Sequence, residues 1–264
     1  MQKFKLKLSE VKQHHFFSGL LNYNSVVVDL GAHRGEFSSK LSESFGCKCY
    51  AVEALPSLYS QIEEDDLVKK FNYAITDSNK PISLNVSANP EGNSIYKEVA
   101  DAASNWQMMN MPSAAVINDG YVNVNGITLE TFLDMNEIEM IDLLKIDIEG
   151  AELDLFRSTK DETLCKKVRQ ITVEFHDFIE EFKEAKGSKF REIQERLTSL
   201  GFVSIVFSFG NYIDVLMINT SKVELSRIEK LYLSYVKNIY PIWHHKHRYI
   251  KRWLLQKVEK MSTK

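Results

Sequence analysis

Apolar residues recur along this chain in short runs separated by stretches of helical spacing. Val26, Val27, Val28 and Leu30 form one run closed by Gly31, the pattern of a strand buried on both faces. Phe37, Leu41 and Phe45 follow at intervals of four and stop at Gly46, which predicts a helix from Glu36. "CKCYAVEA" (47–54) reads as a second strand, "SLYSQIEEDDL" (57–67) as a helix opened by Pro56-Ser57, and "VKKFNYAITD" (68–77) as a third strand. Strand, helix, strand, helix, strand predicts a parallel sheet with right-handed crossovers. Residues 2–22, ahead of this series, read as a helical or mixed lead-in.

The rhythm breaks between 77 and 126. An extended detour leads into an insert over 88–122 that carries Trp106 and the methionines Met108, Met109 and Met111. Inserts of this length in an α/β domain often form lids, whereas the methionines read as packing residues. Regularity returns with a helix in "ITLETFLDMN" (127–136), a strand in "MIDLLKIDIEG" (140–150) and a helix in "AELDLFRST" (151–159). A strand in "VRQITVEFHD" (168–177) and a helical stretch over 178–202 follow. Two strands around Gly210-Asn211 then predict a hairpin. The expected organisation is a lead-in (1–23), one α/β domain (24–220) whose sheet is closed by an antiparallel hairpin, and a helical extension (221–264).

Composition adds three constraints. With 264 residues, 44% of them hydrophobic, the chain can bury a sizeable core. The three cysteines, Cys47, Cys49 and Cys165, are an odd and sparse set, and 47 and 49 share one face of a strand. They read as reduced thiols of a cytoplasmic protein, and the opening residues lack the pattern of a secretion signal. No run is long and apolar enough for a membrane-spanning helix. The net charge of −3 hides an asymmetry, since residues from Ser221 onward carry eleven Lys/Arg against three Asp/Glu. Within that tail, Trp243, His247, Ile250, Trp253, Leu254 and Met261 mark an apolar stripe on a basic background. Such a segment packs on its own body or lies on an anionic membrane surface, here over 242–261 at the inner face of the membrane. The acidic remainder argues against a nucleic-acid partner.

The chemistry gathers at strand ends, where open parallel sheets bind ligands. Gly31 and Gly35 flank Ala32 and His33 in the turn after the first strand. Asp29 lies just before that turn, and Glu53 ends the second strand. Glu53 is placed for the two hydroxyls of an adenosine ribose, in NAD or in S-adenosylmethionine alike. Asp29 separates the two, because a carboxylate beside the turn repels a pyrophosphate and suits an ammonium and a sulfonium. The turn also lacks the middle glycine of the dinucleotide fingerprint. In "LLKIDIEGAELDLF" (143–156), Lys145, Asp147 and Glu149 alternate with apolar residues and should share one strand face. Buried charges at this density must be paired or must emerge at the strand's open end. "VEFHD" brings Glu174, His176 and Asp177 to the same rim. Asp147, Glu149 or His176 is the candidate general base for a substrate hydroxyl. An acid–His–acid set also has the donors for a divalent ion, an alternative the sequence does not require.

"VVVDLGAHRGEFS", "YAVEALPSLY", "NYAITD", "GITLETFL" and "LLKIDIEGAELDLF", in this order, resemble the FkbM family of methyltransferases over about residues 24–180. The resemblance implies a class I methyltransferase fold, a Rossmann-like and mainly parallel seven-stranded sheet, with S-adenosylmethionine as methyl donor. It implies O-methylation of sugars, glycolipids or polyketide-type acceptors, so the expected partner is a carbohydrate or glycolipid. Asp29, Gly31, Ala32, His33 and Gly35 match the cofactor loop, Glu53 the ribose contact, and Asp147 and Glu149 the acids of the signature. Glu53 is followed by Ala54 where the family usually has proline, with Pro56 two positions later. An NAD(P)-dependent oxidoreductase and a non-catalytic scaffold with a cofactor fold are the competing readings.

Overall fold

The computed structural model describes residues 4–87, 93–97, 100, 120–176, 188–208 and 214–241. The chain opens with β1 (Leu8–Val11) and β2 (His14–Phe17), an antiparallel hairpin turned by Lys12 and Gln13, both at positive φ. The lead-in, read as helical or mixed, is a hairpin followed by a 3₁₀ turn at Ser18–Leu20, and the wholly helical alternative is corrected. His14 to Phe17 are all buried, so no period of two shows in the sequence. Phe16 packs beside Phe37 and Leu41, whereas its neighbour Phe17 enters a separate cluster with Ile205, Leu216 and Val236.

Next come β3 (Val26–Leu30), α1 (Glu36–Phe45), β4 (Lys48–Val52), α2 (Pro56–Tyr59) and β5 (Val68–Phe71). α2 is a single turn, shorter than its sequence suggests, and the third strand stops at Phe71. β6 (Ala74–Ile75), β7 (Pro81–Val86) and β8 (Gly120–Ile127) form a separate three-stranded sheet in which β7 and β8 run antiparallel. The detour around the insert is thus paired strands; Trp106 and the three methionines lie outside the described residues. After α3 (Leu129–Met135) come β9 (Leu143–Ile146), α4 (Glu152–Ser158), α5 (Asp161–Lys167) and β10 (Gln170–Val173). α5 carries no clear apolar period in "DETLCKK", so the sequence pattern does not reveal it. The chain closes with α6 (Ser188–Ser199), β11 (Phe202–Val206), β12 (Val215–Asn219) and α7 (Arg227–Asn238). α7 is opened by a capping box in which Ser226 and Glu229 satisfy each other's backbone N–H.

The main sheet has the order β5-β4-β3-β9-β10-β12-β11. The five strands from β5 to β10 run parallel, and β12 is antiparallel to both β10 and β11. This is the class I methyltransferase sheet expected from the sequence, including its closing hairpin. Val28, Leu30, Leu144 and Ile146 face a cluster with Phe132 and Phe156 on one side. Val27, Cys49, Ala51 and Leu143 face α1 and Phe16 on the other. Cys47 and Cys49 point the same way, with sulfurs 3.9 Å apart and both free. No helix among the described residues is long and apolar enough to cross a membrane. α7 rests on β11 through Leu233 and Val236 and turns Ile228 and Leu231, each more than 70% exposed, to solvent. Residues 242–264 lie outside the description.

Candidate functional site

Chain winding reverses between β3 and β9, and the carboxyl ends of β4, β3, β9 and β10 surround a cavity of 330 Å³. Gly31, Ala32, His33, Glu53, Lys145, Asp147 and Glu149 all line it. Asp29, Gly35 and His176, also singled out from the sequence, do not form part of its lining.

The turn after β3 is closed on itself. The N–H groups of Gly31 and Ala32 both donate to the Val52 carbonyl, that of Gly35 donates to the Ala32 carbonyl, and that of His33 donates to Glu53 Oε2 at 2.8 Å. Four of the turn's N–H groups are therefore engaged within the protein and do not cradle a pyrophosphate, which weighs against the dinucleotide reading. A Cβ on Gly31 would lie 1.7 Å from the Asp147 carbonyl oxygen, so only glycine lets β3 and the end of β9 approach this closely. Gly35 serves a different purpose, packing against Ile62, whose Cγ2 a Cβ would meet at 2.8 Å. Glu53 also accepts the Leu55 N–H at 2.8 Å, so two backbone donors fix its carboxylate at the rim. Burial still pushes Glu53 up to about 7, against the lowering by those donors.

Asp29 and Lys145 are directly opposed across the β3–β9 register. Asp29 is wholly buried, accepts the Ser38 hydroxyl at 2.8 Å and lies 3.2 Å from Lys145 Nζ. It sits beneath the cavity and braces the turn, where the sequence reading placed it against the cofactor. Lys145 Nζ also donates to the Gly31 carbonyl at 2.7 Å and lies 3.5 Å from Asp147 Oδ2. Burial pulls Lys145 down, but Asp29 and Asp147 outweigh it and push the ammonium up to about 12. Burial raises Asp147, and Lys145 with His14 overcomes this, holding its carboxyl well below the ordinary range.

β9 ends at Ile146, so the alternation of charged residues does not continue as strand. Glu149 reaches the cavity from a turn, at φ 51°. His176 organises this second group. Its Nδ1 lies 3.0 Å from Glu152 Oε1, and its Nε2 lies 3.2 Å from Glu149 Oε2 and 3.7 Å from Glu174 Oε1. Glu152, buried in the first turn of α4, also accepts the N–H groups of Ile148 and Gly150, which fixes the turn that carries Glu149. Burial pushes Glu149 up to about 8 and Glu174 up to about 7, with neighbouring acids adding to both. Burial opposes the charged form of His176, yet Glu149 and Glu152 hold it well above the ordinary histidine value. Asp177 lies outside the described residues.

Sequence reasoning missed one wall altogether. The N-terminal hairpin packs along β10 and β12, and its turn end contributes Lys12, Gln13 and His14 to the lining. His14 Nε2 lies 3.6 Å from Asp147 Oδ2, and its Nδ1 lies 3.5 Å from Thr172 Oγ1. Asn93 and Ile95 reach the cavity from within the 88–122 insert, and the Ser94 hydroxyl donates to the Glu149 carbonyl. A hairpin signal would have exposed His14, but Lys12-Gln13 is not the Asn-Gly type of turn that announces one.

No curated protein sequence matches the chain. Among solved structures it is similar to a methyltransferase FkbM from Methylobacillus flagellatus, with 11% identity and a TM-score of 0.45, over 81% of this chain and 49% of that one. A putative methyltransferase of an antibiotic biosynthesis pathway from Anabaena variabilis shares 15% identity at a TM-score of 0.27, over 57% of this chain and 38% of that one. The chain thus spans half or less of the length of these two proteins. The fibrillarin of Aeropyrum pernix, solved with natively bound S-adenosyl-L-methionine, shares 11% identity at a TM-score of 0.39, over 75% of this chain and 66% of that one. The sequence model of the methyltransferase FkbM domain matches residues 29–204, well over half of the chain, and the chain belongs to that family of S-adenosylmethionine-dependent methyltransferases.

Proposed function

We propose that this protein methylates a hydroxyl oxygen of a sugar, glycan or glycolipid acceptor. One observation carries the reading: Glu149, an acid facing the cavity, is lifted by burial to about 8 and held at 3.2 Å by His176. An alcohol is a poor nucleophile at neutral pH, and a base whose pKa lies near the working pH removes its proton most effectively. Asp147 is the weaker base, because Lys145 and His14 stabilise its charge. Lys145 keeps the end of β9 against the turn, and Glu152 keeps Glu149 and His176 in place.

The residues present fit S-adenosylmethionine. The cavity wall is rich in carboxylates, which suit an ammonium, a sulfonium and a ribose diol, and Glu53 would hold the ribose. Bound there, the cofactor supplies an electrophilic methyl group. Calorimetry with S-adenosylhomocysteine tests this half of the reading. Binding is expected, and Glu53→Ala should weaken it at least about tenfold; the absence of binding by the intact protein would refute the assignment. Mass spectrometry of surface polysaccharides and glycolipids, with and without the protein, tests the acceptor through the loss of one methyl group.

The outward row on α7 supports a location for this reaction. Ile228 and Leu231 stand exposed on a helix that leads directly into the basic segment 242–261. Apolar and basic side chains together suit an anionic membrane surface, where glycolipid acceptors reside. Flotation with vesicles containing phosphatidylglycerol, compared with neutral vesicles, tests it. Equal recovery on both would remove the membrane from the reading.

A further inference from the structure

We infer that His14, Asp147 and Glu174 form a binding site for one divalent metal ion of the Mn²⁺ or Mg²⁺ type. The three residues come from three separate parts of the fold: the start of β2, the turn after β9 and the end of β10. Each offers one ligand atom, and these atoms all lie within 4.8 Å of one another. All three line the cavity, so the remaining coordination positions face its interior, where water or an acceptor oxygen completes the shell.

The surroundings prepare each donor. Thr172 Oγ1, at 3.5 Å from His14 Nδ1, is placed to accept that nitrogen's proton, so an ion that takes the place of the Nε2 proton facing Asp147 meets the Nε2 lone pair. Asp147 meets Lys145 and His14 through the same oxygen, Oδ2. Glu174 lies 3.7 Å from His176, beyond hydrogen-bonding distance. Charge points the same way. Asp147, Glu149 and Glu174 converge here, while Lys145 is already held by Asp29 and the Gly31 carbonyl, and of the other cations in the lining Lys12 pairs with Glu36 and Arg34 donates to Gln61. A surplus of half-buried carboxylates attracts either protons or a cation. One imidazole and two carboxylates form a hard, oxygen-rich set suited to Mn²⁺ or to partly hydrated Mg²⁺.

Asp147, Glu149 and His176 form a second triplet of similar spacing. Both ring nitrogens of His176 are occupied by carboxylates, at 3.0 and 3.2 Å, and His176 does not line the cavity. The geometry therefore favours the triplet beneath the hairpin. Binding of the ion does not depend on the proposed function, although its use on an acceptor hydroxyl rests on that reading.

The test is a titration of the metal-free, cofactor-free chain with MnCl₂ in a chelator-free buffer, following free Mn²⁺ by electron paramagnetic resonance. One ion per chain is expected, displaced by Mg²⁺. His14→Gln and Glu174→Gln should each weaken binding at least about tenfold, and His176→Gln should change it less than about threefold. Thermal unfolding of every variant identifies any that fails to fold; Glu174→Gln, the least buried of the substitutions, keeps the test alive if His14→Gln does not. No binding at millimolar Mn²⁺, equal binding by folded His14→Gln and Glu174→Gln, or a loss confined to His176→Gln would each overturn the inference. S-adenosylhomocysteine titrated into the same metal-free samples reports on the proposed function separately.

Discussion

Two buried polar clusters stand side by side at the end of the sheet, and they handle charge in opposite ways. One is centred on Lys145, with Asp29 and Asp147 around it. The Lys145 ammonium is pushed up to about 12 and Asp147 is held low, so both stay charged at neutral pH. The other is centred on His176, with Glu149, Glu152 and Glu174 around it. There the acids outnumber the cation, and burial moves Glu149 and Glu174 into the neutral range. The first cluster fastens β3 to β9, and the second keeps protons exchangeable beside the cavity. A fixed cation makes a structural tie; a titratable one makes a site for proton transfer.

The comparison can be broken most severely at Lys145. Lys145→Met leaves Asp29 buried with the Ser38 hydroxyl and no cation, and should destabilise the fold by about 3–5 kcal/mol in urea unfolding. Adding Asp29→Asn should restore at least half of that loss. A single variant as stable as the wild type would show that the tie is not structural.

Glu149→Gln attacks the second cluster and, by removing a carboxyl that burial pushes up to about 8, should leave the fold at least as stable as the wild type at neutral pH. S-adenosylhomocysteine release in the presence of a glycan acceptor should fall about 10²- to 10⁴-fold. In the wild type, kcat/KM should rise with pH and level off above about 8, because the base must be deprotonated to act. Full activity of the glutamine variant would move the base elsewhere.

Stability against pH separates the clusters by sign. Glu53, Glu149 and Glu174 hold protons in the folded chain that the unfolded chain has released, between the ordinary value of 4.5 and about 7 to 8. Their stabilisation is full below 4.5 and is lost as pH rises through the folded values. His176, also raised, acts in the same direction. The metal-free protein should therefore melt at least about 3 °C lower at pH 8 than at pH 5. Glu149→Gln with Glu174→Gln should flatten that slope, whereas Lys145 and Asp147 do not titrate within the window. A profile equally steep in the double variant would assign the slope to other groups.

The smallest effect is expected where charges meet water. Arg157 and Glu192 pair at 2.8 Å with both side chains about half exposed, and Arg157→Ala should change stability by no more than about 1 kcal/mol in the same unfolding assay. A larger loss would show that ion pairs outside the core also hold this fold.

The sequence by itself determined the sheet. Its apolar runs placed β3, β4, β9 and β10, because a strand covered on both faces must be apolar almost throughout. The acids at the strand ends and the "KIDIEGAE" segment indicated the family and most of the cavity lining, since in a parallel sheet the chain itself carries those residues to one edge. Tertiary structure alone decided the rest. Asp29 faces Lys145 because of the β3–β9 register, a relation between residues more than a hundred positions apart, and this takes Asp29 out of the cavity. Glu149 arrives on a turn because β9 ends at Ile146. His14 joins the site because Phe16 and Phe17 bury themselves in two different clusters and bring the hairpin down over Asp147. Local spacing records which face of an element is apolar, but it does not record which distant element will cover that face.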